Sequence, residues 1–353
     1  MLSEELMFHR LNLDSFKTPY IQHCILEMPI SNVLSDLTIE VGSSSFTRHK
    51  FPLVSRSGRI RMLMLEAKDT KVTKGSRIYL TGLPGRSDAF ELAAKFCYGV
   101  NVEISISNVA LLRCEARFMK MTEDISEKNL EIFTEIFLKD AVFPNISNSI
   151  FVLHRCETLL SVSEEVNIVS QLTNAIANNA CKEQLTSGLS KLEYNFAPKP
   201  IQCVDSETPS DWWEKSLAAL NMDLFQKVLL VEKIKGLKQD IISRILINYA
   251  QNSLQGLFIK DLQLVKESFL DLDLQKRQRV IVKTIAGLLP TQSREFTVQM
   301  AFLSSLLKSA IVASTSTFCR SDLERRIGLQ LYQAILEDIL IPANSHENNH
   351  NPV

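Results

Sequence analysis

The chain has 353 residues, and its 39 Lys and Arg against 40 Asp and Glu give a formal charge of -1, so the overall basic balance of a nucleic-acid binder is lacking. Hydrophobic residues make up 45% and charged residues 22%, which excludes a mainly disordered chain and supports roughly two domains. The seven cysteines include no CxxC pair, which argues against a disulfide framework or a zinc site. The N-terminus lacks the pattern of a signal peptide, and the longest apolar run is too short to span a bilayer. These features predict a reduced, intracellular protein.

Residues 1–30 form a lead with no clear pattern. In "DLTIEV" apolar and polar residues alternate, "GSSS" supplies a turn, and "FTRHK" returns, which predicts a β-hairpin. "FPLVSRSGRIRMLMLEA" has a helical pattern, and "SRIYLTGLPG" predicts another short strand. From Ser87 onwards apolar residues recur at helical spacing, and Asn108 is placed to cap the helix "VALLRCEARFMKM". Residues 31–140 are therefore predicted to form an α+β module.

Strand signals end after Asn129. "NLEIFTEIFLKDAVF" and "SNSIFVLHRCETLLSVSEEV" predict amphipathic helices, the second capped by Asn148 or Ser149, and a further helix is expected over 165–181. These helices make residues 141–192 a helical extension of the first module. The stretch 193–209 carries three prolines and little periodicity, which predicts a linker.

An all-helical second domain is predicted over 210–343, followed by a disordered tail at 344–353. Thr208 and Asp211 resemble a capping box, after which Trp213, Leu217, Leu220 and Leu224 share one helical face. Gly236 is expected to end a helix in the left-handed conformation.

The last helix is predicted in "SDLERRIGLQLYQAILEDIL". Ser321 and Glu324 form a capping box there, and apolar residues repeat every four positions from Leu323 to Ile339.

No motif for catalysis stands in the chain, since G-x-S-x-G, HExxH and a Walker loop are all missing. We therefore expect no catalytic site, no cofactor site and no metal site. The pair Trp212 and Trp213 could stack on bases or ligands. Neighbouring side chains on a helix point about 100° apart, so the favoured interpretation is that one packs in the core and the other covers a groove.

The basic run from Arg48 to Arg61 leaves two explanations open at this point. One is a charged site for an anion or nucleic acid, and the other is part of a packed protein-binding module. For the cluster of arginines itself a solvated face is the commoner explanation.

Nine residues of this region resemble the pattern of the BTB/POZ domain. They are Asp36, Ile39, Val41, Phe46, His49, Lys50, Leu53, Ser55 and Arg61. Longer stretches resemble the plant phototropism-adaptor family, the non-phototropic-hypocotyl-like (NRL) proteins. These are "FELAAKFCYGVNVEISISNVALLRCEARFMKMTEDISEKNL", "SDWWEKSLAALNMDLFQKVL", "KGLKQDIISRILINYA" and "CRSDLERRIGLQLYQAILEDILIP". The resemblance implies an α+β BTB/POZ module followed by an all-α second domain, with the chain a C-terminally short member.

The resemblance also implies partners and a function. It implies an adaptor that dimerises with itself or with related BTB proteins, docks a cullin of the third class and feeds client proteins to a ubiquitin ligase. A photoreceptor kinase is one implied client, and phototropism one implied setting. The alternative is a signalling scaffold at the plasma membrane that binds a photoreceptor without cullin. The adaptor hypothesis places the protein in the cytoplasm, and the scaffold hypothesis places it peripherally at the plasma membrane.

The expected interaction residues follow from these implications. Asp36 and Lys50 are expected in a polar network near the dimer core, together with Phe46 and His49. Apolar side chains after residue 130 are expected to meet either cullin or the second domain. The expected interaction residues among them are Phe133, Phe137 and Phe151. In the second domain, Trp212 and Trp213 are also expected to be interaction residues.

Overall fold

The computed structural model describes residues 15–17, 35–69, 76–194, 212–254, 272–291 and 298–333. The chain divides into two compact units. Met1–Pro200 with Gln226–Lys235 form the first, and Ile201–Phe225 with Gly236–Val353 form the second. The described residues are mostly helical, with a small sheet near the N-terminus. This architecture is compatible with a BTB-like module followed by a helical domain.

The described residues of the first unit contain five short strands: β1 (Ser15–Lys17), β2 (Leu37–Val41), β3 (Ser44–Arg48), β4 (Ser76–Tyr79) and β5 (Glu103–Ser105). β2 and β3 form the predicted antiparallel hairpin, and β4 pairs in parallel with β2, so the strand order is β3-β2-β4. β1 and β5 form a separate antiparallel pair. The parallel pairing requires a crossover, which the chain makes through its first two helices.

The alternation predicted for the hairpin is confirmed. Leu37, Ile39 and Val41 are buried on one face of β2. Gly42 has a φ of 59° in the turn that follows, a conformation that glycine adopts without strain. The sequence therefore specifies the register locally, because a slip by one residue would turn all three apolar side chains outward.

The helices of the first unit follow in chain order. They are α1 (Lys50–Arg56), α2 (Gly58–Asp69), α3 (Arg86–Cys97), α4 (Val109–Phe118), α5 (Leu130–Phe137), a π-helix (Leu138–Val142), α6 (Ile146–Arg155), a 3₁₀ turn (Cys156–Leu159), α7 (Leu160–Glu165) and α8 (Ile168–Tyr194). α3 packs on α4, α4 on α5, and α6 on α8. Phe90 of α3 and Leu112 of α4 are fully buried, which places them in the core of this unit.

Two predicted helix caps need correction. α6 begins after Asn145, whose Oδ1 accepts the backbone N–H of Asn148 at 3.1 Å. Asn148 and Ser149 therefore lie inside the first turn, and their side chains donate back to carbonyls of the π-helix. Asn108 does precede α4, but its side chain accepts from the N–H of Ser105 and so closes the loop after β5.

The helices of the second unit are α9 (Trp212–Ser216), a 3₁₀ turn (Leu217–Ala219), the start of α10 (Met222–Ile234), α11 (Gln239–Ser253), α12 (Leu272–Leu288), α13 (Met300–Val312), α14 (Thr317–Gly328) and a 3₁₀ turn (Leu331–Gln333). The four members of the predicted apolar face are all buried, as expected. The prediction that they share one helix was wrong, because Leu220 takes an extended conformation that separates α9 and the 3₁₀ turn from α10. Gly236 ends α10 with a φ of 86°, as predicted.

The prediction for the last helix was wrong at its start. α14 begins at Thr317, and Ser316 is its cap, with Oγ accepting the N–H of Cys319 at 3.4 Å. Ser321 lies within the helix, because the chain already turns at Ser314, where φ is 51°. Leu323 is buried as expected, whereas Leu331 lies beyond the end of α14 and is exposed. Ile335, Ile339 and the predicted Thr208 capping box lie outside the described residues.

Candidate protein-interaction surface

The start of α1 is fixed by Asp36, which stands just before β2. Its Oδ1 accepts the backbone N–H of Lys50 at 2.6 Å, so it caps the helix across the hairpin. The two side chains form no ion pair within the described residues. The expected contact between Asp36 and Lys50 is therefore present, but the main chain of Lys50 makes it rather than the ammonium group.

His49 ties the end of the hairpin to the C-terminal end of α3. Its backbone N–H donates to the hydroxyl of Tyr98 at 2.7 Å, and its Nδ1 lies 3.2 Å from the same oxygen. Partial burial raises the pKa of Tyr98, and the hydrogen bond with His49 opposes that rise. The ring of Phe46 lies 5.0 Å from that of Phe90, centroid to centroid. These contacts give "RHK" a structural role in the first unit, where it joins the end of the hairpin to α3.

Two of the arginines that follow, Arg56 and Arg59, pack on aromatic rings, which corrects the commoner explanation for them, whereas Arg61 is exposed as that explanation expects. Arg56 is buried with its guanidinium 5.1 Å from the ring centre of Phe96. The Arg59 guanidinium lies 3.8 Å from the ring centre of Phe118. Such stacking is favourable where the cation is partly desolvated. Arg56 and Arg59 of the basic run thus contribute to the packing of α1 and α2 in the first unit.

Glu115 on α4 is fully buried, and neither carboxylate oxygen has a hydrogen-bond partner among the described residues. Burial raises its pKa well above the ordinary value, while the charge of Arg59 works in the opposite direction. The neighbouring Cys97 and Cys114 have their pKa raised by burial to about 12. The burial of Glu115 could not be predicted from its position in the chain, because a Glu in an amphipathic helix is normally exposed.

Three large apolar side chains of α1 and α2 are exposed, which the sequence prediction missed, and we call Phe51, Met62 and Leu65 together the α1–α2 face. Their exposed fractions are 69%, 45% and 57%. Ile60 and Met64 of the same helix are buried. α2 therefore carries apolar side chains on two sides, and only one of them is covered within the unit. That excess of apolar residues was the available signal, and large exposed apolar side chains in a group mark interaction sites.

The apolar residues predicted after position 130 divide into two groups. Phe133 and Phe137 are buried, and the ring of Phe133 makes an edge contact with Phe96 at 6.1 Å. Phe151 is exposed, with the Arg155 guanidinium 5.3 Å from its ring centre. Only Phe151 of the three can contact another protein directly in this arrangement.

The tryptophan pair behaves in the second unit as the helical geometry predicts. Trp213 is fully buried, and Trp212 is partly exposed. The next residue, Glu214, is also buried and is held by Arg244 of α11. Trp213 is thus a core residue, and only Trp212 presents a ring to solvent.

No group of three or more His, Cys, Asp and Glu that could hold a metal ion occurs among the described residues. Within the same ranges, no helix is both long enough and apolar enough to cross a membrane.

Comparison with known proteins identifies the C-terminal part of the chain. Residues 211–352 match the NPH3 family. The chain carries an NPH3-family domain over these residues. The chain is 59% identical over 326 residues to a BTB/POZ domain-containing protein of Arabidopsis thaliana, an alignment that covers 92% of the chain and 50% of the relative. It is also 58% identical to the Arabidopsis BTB/POZ domain-containing protein SETH6 over 90% of the chain and 48% of that relative.

A third Arabidopsis relative is named Root phototropism protein 2. It is 35% identical, over 90% of the chain and 50% of the relative. The chain thus spans about half the length of the curated relatives it matches. No solved structure matches it. The recognition made from sequence motifs is confirmed by these matches.

Proposed function

We propose that this chain is a substrate-specific adaptor of a cullin-based E3 ubiquitin ligase and promotes the ubiquitination of client proteins. The observation that carries the proposal is the similarity, over about nine-tenths of the chain, to relatives named for a BTB/POZ domain. The proposed module covers 31–140, with a helical extension to 192 and the family-specific domain over 210–343. The adaptor has no catalytic site of its own, so its activity is the joining of partners.

Dimerisation is the first part of the proposal. The α1–α2 face presents three large apolar side chains within one helical pair. In a symmetric dimer, the same face of a second copy would bury these side chains. Asp36 and His49 support this surface by fixing the start of α1 and the end of β3. These exposed side chains support the proposal of a homodimer, or of a heterodimer with a related BTB protein.

Cullin docking is the second part, and α5 and α6 are the proposed contact region. Phe151 and Ile136 are exposed there, on helices whose other apolar residues form the core. Phe133 and Phe137 would shape that surface from beneath. The test is calorimetric titration of the full chain with the N-terminal domain of a third-class cullin. Saturable heat that Phe151→Glu abolishes supports the proposal, and a folded chain with no heat at tens of micromolar overturns it.

A second candidate is a scaffold at the plasma membrane that holds a photoreceptor without cullin. Cullin-binding BTB domains often carry a hydrophobic-x-Glu element after the helix that follows the hairpin. The observation that favours the scaffold is that the nearest match in this chain, Met64–Glu66, comes a few residues too early. It lies inside α2, and Met64 is buried. Affinity purification from plant tissue separates the two functions. Recovery of cullin supports the adaptor, whereas a photoreceptor kinase recovered without cullin supports the scaffold and a role in phototropism.

A further inference from the structure

A groove of about 510 Å³ lies along α8 in the first unit, and we call it the α8 groove. Its polar lining comes from Lys139, Gln171, Asn174, Asn178, Asn179 and Lys182, with Phe143 at one side. The volume falls in the range of sites that bind ligands or peptide segments. The lining contains two lysines and no carboxylate.

One wall of the α8 groove is a row of exposed side chains on a single helical face. Gln171, Asn174, Asn178 and Lys182 are separated by three, four and four residues, which is the spacing of neighbours along one face. With a rise of about 1.5 Å per residue, the row is about 16 Å long. An extended peptide advances about 3.3 Å per residue, so about five peptide residues would match this length.

The amides of this row retain hydrogen-bonding capacity. Asn174 donates to the carbonyl of Ser170, and Asn178 accepts from Lys235, so each uses one half of its amide. The side chain of Gln171 forms no hydrogen bond within the described part of the chain. A side-chain amide offers both a donor and an acceptor, which is what the main chain of an extended peptide requires.

The lining residues outside α8 are Lys139 of the π-helix and Phe143 and Pro144, which follow it. The carbonyls of Ala141, Val142 and Phe143 accept from the side chains of Asn148, Ser149 and Asn179 in turn. The end of the π-helix is therefore fixed by the unit itself, and Lys139 lies within it at the groove. π-helical turns inside α-helical segments are rare and occur frequently at functional sites.

Charge defines the chemistry of the occupant. Lys139 pairs with Glu135 at 2.7 Å, and the ammonium group of Lys182 forms no ion pair with described residues. No carboxylate lines the α8 groove, so an acidic group placed there gains the attraction of Lys182 and, less strongly, of Lys139, whose charge Glu135 partly offsets. We propose that the α8 groove binds an extended, acidic segment of a partner protein, with amides holding its main chain and lysines holding its carboxylates. This site goes beyond the proposed dimer and cullin contacts and does not depend on them.

The probe is a pool of fluorescein-labelled ten-residue peptides with Asp or Glu at alternate positions, and fluorescence polarisation is measured on the full chain. A matched pool carries Asn or Gln at those positions. We expect saturable binding of the acidic pool below about 1 mM, and at least fivefold weaker binding of the amide pool. Gln171→Glu and Lys182→Glu should each weaken binding about three- to fivefold, and together more than tenfold.

Matched controls lie in the second unit, where Gln251→Glu and Lys215→Glu change exposed residues of the same types. They should leave binding unchanged. No saturation by the acidic pool, equal binding of both pools, or unchanged affinity of the double variant would each overturn the proposal. So would equally tight binding of polyuridylate, which would indicate unspecific attraction of anions. Cullin titration and sedimentation of the same preparations show separately whether the proposed adaptor function holds.

Discussion

Arg244 of α11 holds Glu214 of α9 in a two-bonded ion pair. Its Nε lies 3.0 Å from Oε2 and its Nη2 lies 2.8 Å from Oε1. The carboxylate side chain is 3% exposed, whereas the arginine is 49% exposed. This geometry is the strong, planar form of a salt bridge, and it joins two helices of the second unit. A buried carboxylate tolerates its burial only while such a partner is present.

The first prediction is that Arg244→Met destabilises the second unit. Removing one partner of a fully buried ion pair lowers the free energy of unfolding by ~3–5 kcal/mol. We expect a loss of about 2–3 kcal/mol here, because the arginine side chain is accessible to water. Hydrogen exchange of α9 and α11 amides measures the change within the unit. Arg325→Met is the control, since its pair with Asp322 is more exposed, and it should cost under about 1 kcal/mol. Equal losses of stability in the two variants would show that burial does not make the Glu214–Arg244 pair more important than an exposed pair.

The second prediction compares the adjacent tryptophans. Trp213→Ala should lower the free energy of unfolding of the second unit by about 3–5 kcal/mol, because it removes a fully buried ring from the core. Trp212→Ala should cost under about 1 kcal/mol, because its ring is already partly in water. Thermal unfolding followed by tryptophan fluorescence and far-UV circular dichroism tests this. Similar losses from both variants would contradict the assignment of Trp213 alone to the core.

The third prediction concerns Gly85, which precedes α3 with a φ of 76°. A Cβ there would lie 2.0 Å from Leu111 Cδ1 and 2.9 Å from the Cβ of Ala89. Gly85→Ala should therefore combine backbone strain of about 1–2 kcal/mol with displacement of Leu111. Gly42→Ala is the matched control, since Gly42 also has a positive φ but no atom within 4 Å of its Cβ position. Calorimetry should show the larger loss for Gly85→Ala, and the opposite order would refute the steric argument.

The fourth prediction is a pH dependence caused by Glu115. Because burial raises its pKa in the folded state, the folded chain holds a proton that the unfolded chain has already released above the ordinary value of 4.5. Stability from this group is therefore present below that value and is lost as the pH rises towards the folded pKa. Cys97 and Cys114 stay neutral from pH 5 to 8, so they add nothing to the slope.

Glu115→Gln should consequently raise the melting temperature of the first unit at pH 8 and change it little near pH 4.5. Glu127→Gln, an exposed carboxylate in the same unit, serves as the control and should show no such trend. A melting temperature of Glu115→Gln below that of the original chain at pH 8 would mean that the attraction of the Arg59 charge outweighs desolvation.

Local patterns predicted much of this fold, and distant contacts explain most of what they missed. The hairpin was predictable because Leu37, Ile39 and Val41 lie within five residues and specify their own face. β1 was not, because its partner β5 stands almost 90 residues later. Asn129 shows the same limit. It caps α5, but its amide also donates to the carbonyls of Arg56 and Thr122, and no local pattern reports the first of these.

The candidate surfaces show the same division. Periodicity identified α5 and α6 as rich in apolar residues, but it could not tell that Phe133 faces the core while Phe151 faces solvent. The α1–α2 face was not predicted, because the interaction in this region was assigned to the motif residues Asp36 and His49. They support the surface without forming it. The π-helix has no sequence signature, so the α8 groove beside it could not be foreseen.

The last prediction concerns assembly through the α1–α2 face. If a second copy covers Phe51 and Leu65, replacing either by Glu places a charge in an apolar contact, where it loses its water without gaining a partner. We expect the dissociation constant of the dimer to rise at least about tenfold, since interface anchors of this size contribute more than about 1 kcal/mol each. Phe318→Glu is the control, because Phe318 is 84% exposed but lies in the second unit. Sedimentation velocity of the full chain at micromolar concentration should show a dimer for the original and control chains and a monomer for the other two. A monomeric original chain, or a dimer that tolerates both substitutions, would rule out this face as the dimer contact.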